Sequence, residues 1–447
     1  MLDHSLLLTD LYQLSMMEVY ARHRMRQTAA FELFVRKLPS RRGFLMMAGL
    51  EPLVDFLEGM QYSPEELDWL RSTNLFSPDF VDSLAGIRFT GDLDSMAEGS
   101  VFFPDEPVLR ITARLPEAQL VESRLINLIH YQTVIASTAA RMVLAAPGRS
   151  LVDFGFRRAH GAEAGLLAAR AAYIAGFAGT ATLAANRAYG VPVFGTMAHS
   201  FIQAHDDEAT AFERFALARP KDLTLLIDTY DTEAGARLVA RLAPRLATAG
   251  LSIAAVRLDS GDLAMHARNV RSILDAAGLR NIRIMASGGL DDRSLQSLVG
   301  QQAPIDWFGV GTSLTTASDA PALDCAYKLQ EYAGRPRRKL SEGKATWPGR
   351  KQVWRRYHLD GTISRDTVGL ADEIPSGQPQ LHPVMRGGRC VTKLPTLAEA
   401  RTHAADCLAT LPEPFRRLEA LDVPVEISSA LRGLAARMDQ ERSPPSA

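Results

Sequence analysis

His199 lies in Gly190-Val-Pro-Val-Phe-Gly-Thr-Met-Ala-His-Ser200, just past a β-branched run that stops at Gly195-Thr196. The residues that follow, to Leu217, place Phe201, Ala204, Phe212 and Phe215 at helical spacing. The stretch therefore reads as a strand, a tight turn and a helix. An imidazole in that turn sits near a helix N-terminus, where outward N–H groups favour anions. With one ring nitrogen's proton held by a neighbour, the other nitrogen can attack a phosphate. Taken alone, such a histidine is better explained by packing. Five other expected strand ends change the balance: Asp153-Phe-Gly-Phe-Arg157-Arg158, Asp228-Thr-Tyr-Asp231, Arg257-Leu-Asp259-Ser260-Gly-Asp262, Ser287-Gly288-Gly289 and Gly309-Val-Gly311-Thr312.

These residues sort by chemistry. Gly288, Gly289, Gly309, Gly311 and Thr312 come late, where glycines let backbone N–H groups close on a phosphate. Arg157, Arg158 and Arg257 supply fixed cations for pyrophosphate or a carboxylate. Phe154 offers a flat face to a ring. Asp231 or Asp259 can accept the proton of one His199 nitrogen. The implied substrates are a planar anion and a multiply phosphorylated sugar. Each motif is weak by itself: Asp259-Ser-Gly-Asp262 serves equally as a helix cap, and Gly309-Val-Gly-Thr312 as a turn.

The elements that must bring them together follow from the rhythm of the chain. Short apolar strands begin near residues 151, 191, 223, 252, 282 and 305, with helices over 163–175, 200–217, 232–247, 262–277 and 291–299. A repeat of about 30 residues is what βα units require. The expected fold class is α/β: an irregular (β/α) barrel over 117–335, with the site at the C-terminal ends of its strands. No Gly-x-Gly-x-x-Gly follows the first strand, which weighs against a dinucleotide fold.

Before the barrel, Thr9-Asp10 can cap a helix from Leu11 to about Arg24 with Leu11, Leu14, Met17 and Val19 inward; Tyr12 falls in its first turn. Residues 31–36 alternate as a strand, Gly43 to Leu57 reads as a helix, and 86–115 holds strand pieces. Glu117 to Ala146 is helical. After 325 the rhythm breaks; strands are expected over 352–358 and 390–394, a helix over 396–408 and a loose tail over 442–447. The expected plan adds a smaller α+β domain, built from 1–116 and from 336–447 returning to it.

Composition sets outer limits. A chain of 447 residues, 47% hydrophobic, has ample core for two or three domains or a barrel with an attachment. With 50 basic and 51 acidic residues, no charge-driven partnership with nucleic acid or anionic membrane is implied. Cys325, Cys390 and Cys407 lack metal-ligand spacing and fit a reducing cytosol. The start shows no basic, then long apolar, leader, and no run approaches the ~20 residues of a membrane span. A soluble, cytoplasmic protein is expected.

Together with Leu8-Thr-Asp-Leu-Tyr-Gln13, Phe31-Glu-Leu-Phe34, Arg36-Lys-Leu-Pro39, Glu98-Gly99, Phe103-Pro104 and Lys339-Leu-Ser-Glu-Gly-Lys344, these motifs resemble the nicotinate phosphoribosyltransferase family from residue 8 to about 352. The resemblance implies that nicotinate and phosphoribosyl pyrophosphate (PRPP) give nicotinate mononucleotide and pyrophosphate, in NAD biosynthesis or salvage. It implies coupled ATP hydrolysis through phosphorylated His199, and Mg²⁺ with the substrates. It matches Tyr12 and Phe154 to ring stacking, with Tyr12 from the partner subunit of a homodimer. Thr196 and Arg257 match nicotinate contacts. Arg157, Asp259, Gly288, Gly311 and Thr312 match the phosphoribosyl side, Ser287 is taken as a further substrate-binding residue, and Asp231 matches the carboxylate orienting the histidine. Nicotinamide-using relatives carry an aspartate where this chain has Ala181, which favours the acid over the amide. Alternatives are a nicotinamide or quinolinate phosphoribosyltransferase, or a non-catalytic barrel binding phosphorylated ligands. Residues beyond about 352 match the family poorly.

Overall fold

Short strands, each followed by helix, build the parallel sheet that carries the site. A computed structural model describes residues 4–373, 376–418, 421 and 425–442. The sheet's strands are β1 (Ser150–Asp153), β2 (Gly179–Thr180), β3 (Leu223–Leu226), β4 (Ile253–Leu258), β5 (Arg283–Ser287) and β6 (Trp307–Val310). They lie in the order β2-β1-β6-β5-β4-β3, all parallel. The helices between them are Ala162–Ile174, Thr232–Thr248, Leu263–Ala276 and Asp292–Gly300, with shorter ones around residue 200. Acidic strand-end residues start three of them: Asp231, Asp262 and Asp291 accept the backbone N–H of Ala234, Met265 and Ser294.

Among the described residues the sheet does not close, so the barrel expected from the rhythm is incomplete. The run Val191–Phe194, expected as a strand, contributes one isolated bridge, Thr180 to Val193. Pro192 cannot donate to a ladder. Phe194 turns aside to meet Trp307 edge-on, ring centres 5.5 Å apart. The expected helix over 200–217 is two helices, His199–Gln203 and Glu208–Ala218, because Asp207 accepts from Thr210 N and caps a second start at Glu208.

The chain forms two compact units, 138–321 and 1–137 with 322–447. The second of these is built around Thr28–Val35, which pairs antiparallel with Leu109–Arg114 on one side and Cys325–Tyr332 on the other. Asp92–Ser95 and His382–Arg386 extend the same seven-stranded sheet, which therefore draws on both ends of the chain. Two ion pairs are shut inside this unit: Lys351–Glu32 at 2.7 Å and Arg355–Asp366 at 2.5 Å.

Several local expectations are corrected here. The helix expected over 43–57 is Leu50–Glu58, since Leu45–Met46 pairs with Val101–Phe102 first. On helix Leu11–Arg22, Leu14 and Met17 are buried, whereas Leu11 and Val19 are 58% and 52% exposed. The strand expected over 390–394 is only Arg389–Cys390. The tail expected over 442–447 lies, from 443 on, outside the described residues.

Candidate active site

Strand β4 ends by placing two opposite charges side by side. Arg257 Nη2 donates to Asp259 Oδ1 at 2.8 Å, and Arg257 Nε donates to Ser287 Oγ at 2.8 Å. The Ser287 hydroxyl in turn donates to Asp259 Oδ1, closing a triangle across β4 and β5. Burial pushes the Asp259 carboxyl upward, but Ser287, Arg257 and His199 together outweigh it and hold it below the usual carboxylate range. The Arg257 guanidinium also lies 5.4 Å from the centre of the Phe154 ring, within cation–π range. Its Nη1 also donates to the Met197 carbonyl at 3.4 Å, so the guanidinium is fixed from four sides while it borders a void.

His199 opens the short helix after the Gly195-Thr196 turn. Its Nδ1 is 3.2 Å from the Thr229 hydroxyl and its Nε2 is 3.7 Å from Asp259 Oδ2. The ring's carboxylate neighbour is thus Asp259. Asp231 instead directs a carboxylate oxygen to Ala234 N at 2.6 Å, as the cap of helix Thr232–Thr248. Asp228 does what neither was expected to do. Its Oδ2 accepts from Asp259 N at 2.8 Å and Ser260 Oγ at 2.6 Å, pinning the Asp259–Asp262 turn. Its Oδ1 is buried and has no hydrogen bond among the described residues. The signal for Asp228 was its place in Asp228-Thr-Tyr-Asp231, but local sequence cannot say which of two aspartates caps and which reaches across.

The late glycines are required by close approach. Gly288 has φ +96°, and a Cβ there would fall 2.1 Å from the Asp259 carbonyl oxygen. At Gly309 a Cβ would fall 2.6 Å from the Phe154 ring. Two voids result. One, about 390 Å³, is lined by Phe154, Arg157, Thr196, His199, Arg257 and Asp259, with Ala181 in its wall. The other, about 380 Å³, is lined by Arg157, Arg158, Ser287, Gly288, Gly311 and Thr312, with Gly289 beside them. Phe154, Arg157, Arg257 and Asp259 border both. The first suits a flat ring with an anionic substituent beside Arg257; the second offers glycine backbone and cations to phosphate. Tyr12 belongs to the other unit, where it stands half exposed on helix Leu11–Arg22.

Three family models match the chain: the nicotinate phosphoribosyltransferase N-terminal domain over 7–130, the nicotinate phosphoribosyltransferase family over 149–335, and the C-terminal domain over 376–435. The last covers the segment where recognisable motifs had run out. The chain is 48% identical to a Mycobacterium tuberculosis protein named nicotinate phosphoribosyltransferase pncB2, over 97% of this chain and 93% of that one. It is 37% identical to the Bacillus subtilis nicotinate phosphoribosyltransferase, over 95% and 94%. The crystal structure of human nicotinic acid phosphoribosyltransferase superposes with a TM-score of 0.87 at 29% identity, covering 96% of this chain and 99% of the human one.

Proposed function

The chain belongs to the nicotinate phosphoribosyltransferase family, and from that premise we propose that it joins nicotinate to the phosphoribosyl group of PRPP, releasing pyrophosphate, for NAD biosynthesis or salvage. The observation that carries this reading is the pair of adjoining voids sharing Phe154, Arg157, Arg257 and Asp259. Nicotinate stacks on Phe154 with its carboxylate toward Arg257 and Thr196, and Ala181 leaves no carboxylate in the wall to repel it. PRPP lies with its phosphates against Gly288, Gly311 and Thr312. The pyridine nitrogen then attacks the anomeric carbon as pyrophosphate leaves through an oxocarbenium-like transition state. Arg157 and Arg158 stabilise the departing charge, and fixing both reactants in one cleft removes most of the entropic barrier.

ATP enters the same reading as a phosphoryl donor to His199, whose ring is flanked by Thr229 and Asp259 and 40% exposed. A nitrogen held this way by a neighbour's hydrogen bond leaves the other free to attack phosphorus. Mg²⁺ fits the donor set in a particular sense. No group of three or more His, Cys, Asp and Glu among the described residues can hold a metal. Mg²⁺ ordinarily takes one or two carboxylates and the oxygens of substrate phosphates. Asp259, which borders both voids, is the carboxylate suited to it. When bound it would neutralise pyrophosphate charge.

A homodimer is part of the proposal: Leu11, Tyr12 and Val19 expose an apolar strip that a second copy would cover, presenting Tyr12 to its partner's ring site. No helix among the described residues is long and apolar enough to cross a membrane, and three free thiols suit the cytoplasm. The test is product analysis with PRPP and each of nicotinate, nicotinamide and quinolinate, with and without ATP. Nicotinate mononucleotide from nicotinate, stimulated by ATP, is expected. Preferential use of either other pyridine would overturn the assignment.

A further inference from the structure

Asp153, the last residue of β1, is 1% exposed, and no Lys, Arg or His among the described residues pairs with it. A carboxylate shut away without a cation is costly, and burial does push this one upward against the hydrogen bonds that oppose it. Those hydrogen bonds reach two different turns. Oδ1 accepts from Gly155 N at 2.7 Å, holding the turn that carries Phe154. Oδ2 accepts from the Thr180 hydroxyl at 2.7 Å, and Thr180 Oγ1 accepts from Thr182 N at 3.1 Å, holding the turn that carries Ala181. The Asp153 carbonyl also accepts from Ala181 N at 2.8 Å, and Phe154 N donates to Val310 O at 2.7 Å. Gly155 has no room to yield: a Cβ there would lie 2.7 Å from Thr315 and 3.0 Å from Asp153 Oδ1.

We propose that Asp153 is a positioning residue: through the relay Gly155 N–Asp153–Thr180–Thr182 N it sets the spacing between the Phe154 ring and Ala181, and with it the preference for the pyridine acid over the amide. The direction of each hydrogen bond matters. An amide at 153 can still accept from Gly155, but its NH₂ would donate into Thr180 Oγ1, leaving that hydroxyl proton without an acceptor. The turn must then rotate, and a shift of even part of an ångström in a stacking slot weakens ring binding. This rests on the function proposed above.

The test compares wild type with Asp153→Asn, Thr180→Val and Thr180→Ser. Steady-state kinetics would be paired with calorimetric binding of nicotinate and of nicotinamide. Asp153→Asn and Thr180→Val should raise the nicotinate KM and Kd about tenfold. The PRPP KM should stay within about twofold, the acid-to-amide ratio should fall, and Thr180→Ser should restore both. A general structural defect would instead move both substrates together. Wild-type nicotinate binding in folded Thr180→Val, or equal losses for nicotinate and PRPP, would overturn the proposal. If Asp153→Asn does not fold, the Thr180→Val and Thr180→Ser pair decides, since it changes only the relay hydroxyl and a methyl. If the wild type bound nicotinate but made no nucleotide, the proposed function would fall while the binding arm still judged the relay.

Discussion

Replacing Gly288 by alanine perturbs the site through two separable costs. The residue has φ +96°, where an L side chain is disfavoured by about 1 kcal/mol. Its new Cβ would start 2.1 Å from the Asp259 carbonyl oxygen. Reaching an ordinary contact of 3.4 Å means a backbone shift of about 1.3 Å. Backbone on both sides is tethered, by Ser287 to Asp259 and by Asp228 to the Asp259 N–H. Overpacking of that kind costs about 1–3 kcal/mol, so the total is about 2–4 kcal/mol. At roughly 2–4 °C per kcal/mol for a unit of this size, the melting temperature should fall by roughly 5–15 °C. The same shift moves Asp259 and the Arg257–Ser287 triangle, so kcat/KM should fall about a hundredfold. Gly289→Ala is the control: φ is +64° and nothing lies within 4 Å of its added Cβ. It should cost only the backbone term, about 1 kcal/mol of stability. Calorimetric melting and steady-state rates on the two variants measure both quantities. If Gly288→Ala behaved like Gly289→Ala, the close approach of the two strand ends would be refuted.

His199→Ala should abolish acid-labile phosphate incorporation from ATP and remove ATP stimulation; labelling that persists in the variant would refute the role. Arg257→Ala should weaken nicotinate by about 1.5–3 kcal/mol, roughly ten- to a hundredfold, and nicotinamide less, because the lost bond is to a charged group; equal losses in a competition assay would exclude a carboxylate contact. Asp259 and Asp153 should act on stability with opposite sign. Asp259 is depressed in the fold, so its contribution is present above the unfolded value of about 3.9 and is lost as pH falls through the folded one. Asp153 is raised, so its contribution is present below about 3.9 and is lost as pH rises through the folded value. Urea midpoints at neutral and acid pH should therefore converge in Asp259→Asn and spread in Asp153→Asn.

The parts of the site that depend on neighbours in the chain are legible from the order of residues. A β-branched run ended by Gly195-Thr196 places His199 at a helix start. The runs ending at Asp153, Leu258, Ser287 and Val310 place Phe154, Asp259, Gly288 and Gly311 at one end of a parallel sheet. Hydrophobic period and turn chemistry suffice for that, because both act over a few residues. The tertiary structure decided what depends on which strands become neighbours. Val191–Phe194 has the composition of a strand but yields one bridge, since Pro192 cannot donate and Phe194 packs on Trp307. Asp231 and Asp228 stand three residues apart with the same chemistry, yet one caps its own helix and the other holds the Asp259 turn. Helix Leu11–Arg22 buries only part of its apolar residues, since burial depends on what packs against each face. The pairing of His199 with Asp259, and the need for glycine at 288, arise from strand ends that meet in space at long sequence separation. Local patterning carries no record of those distances.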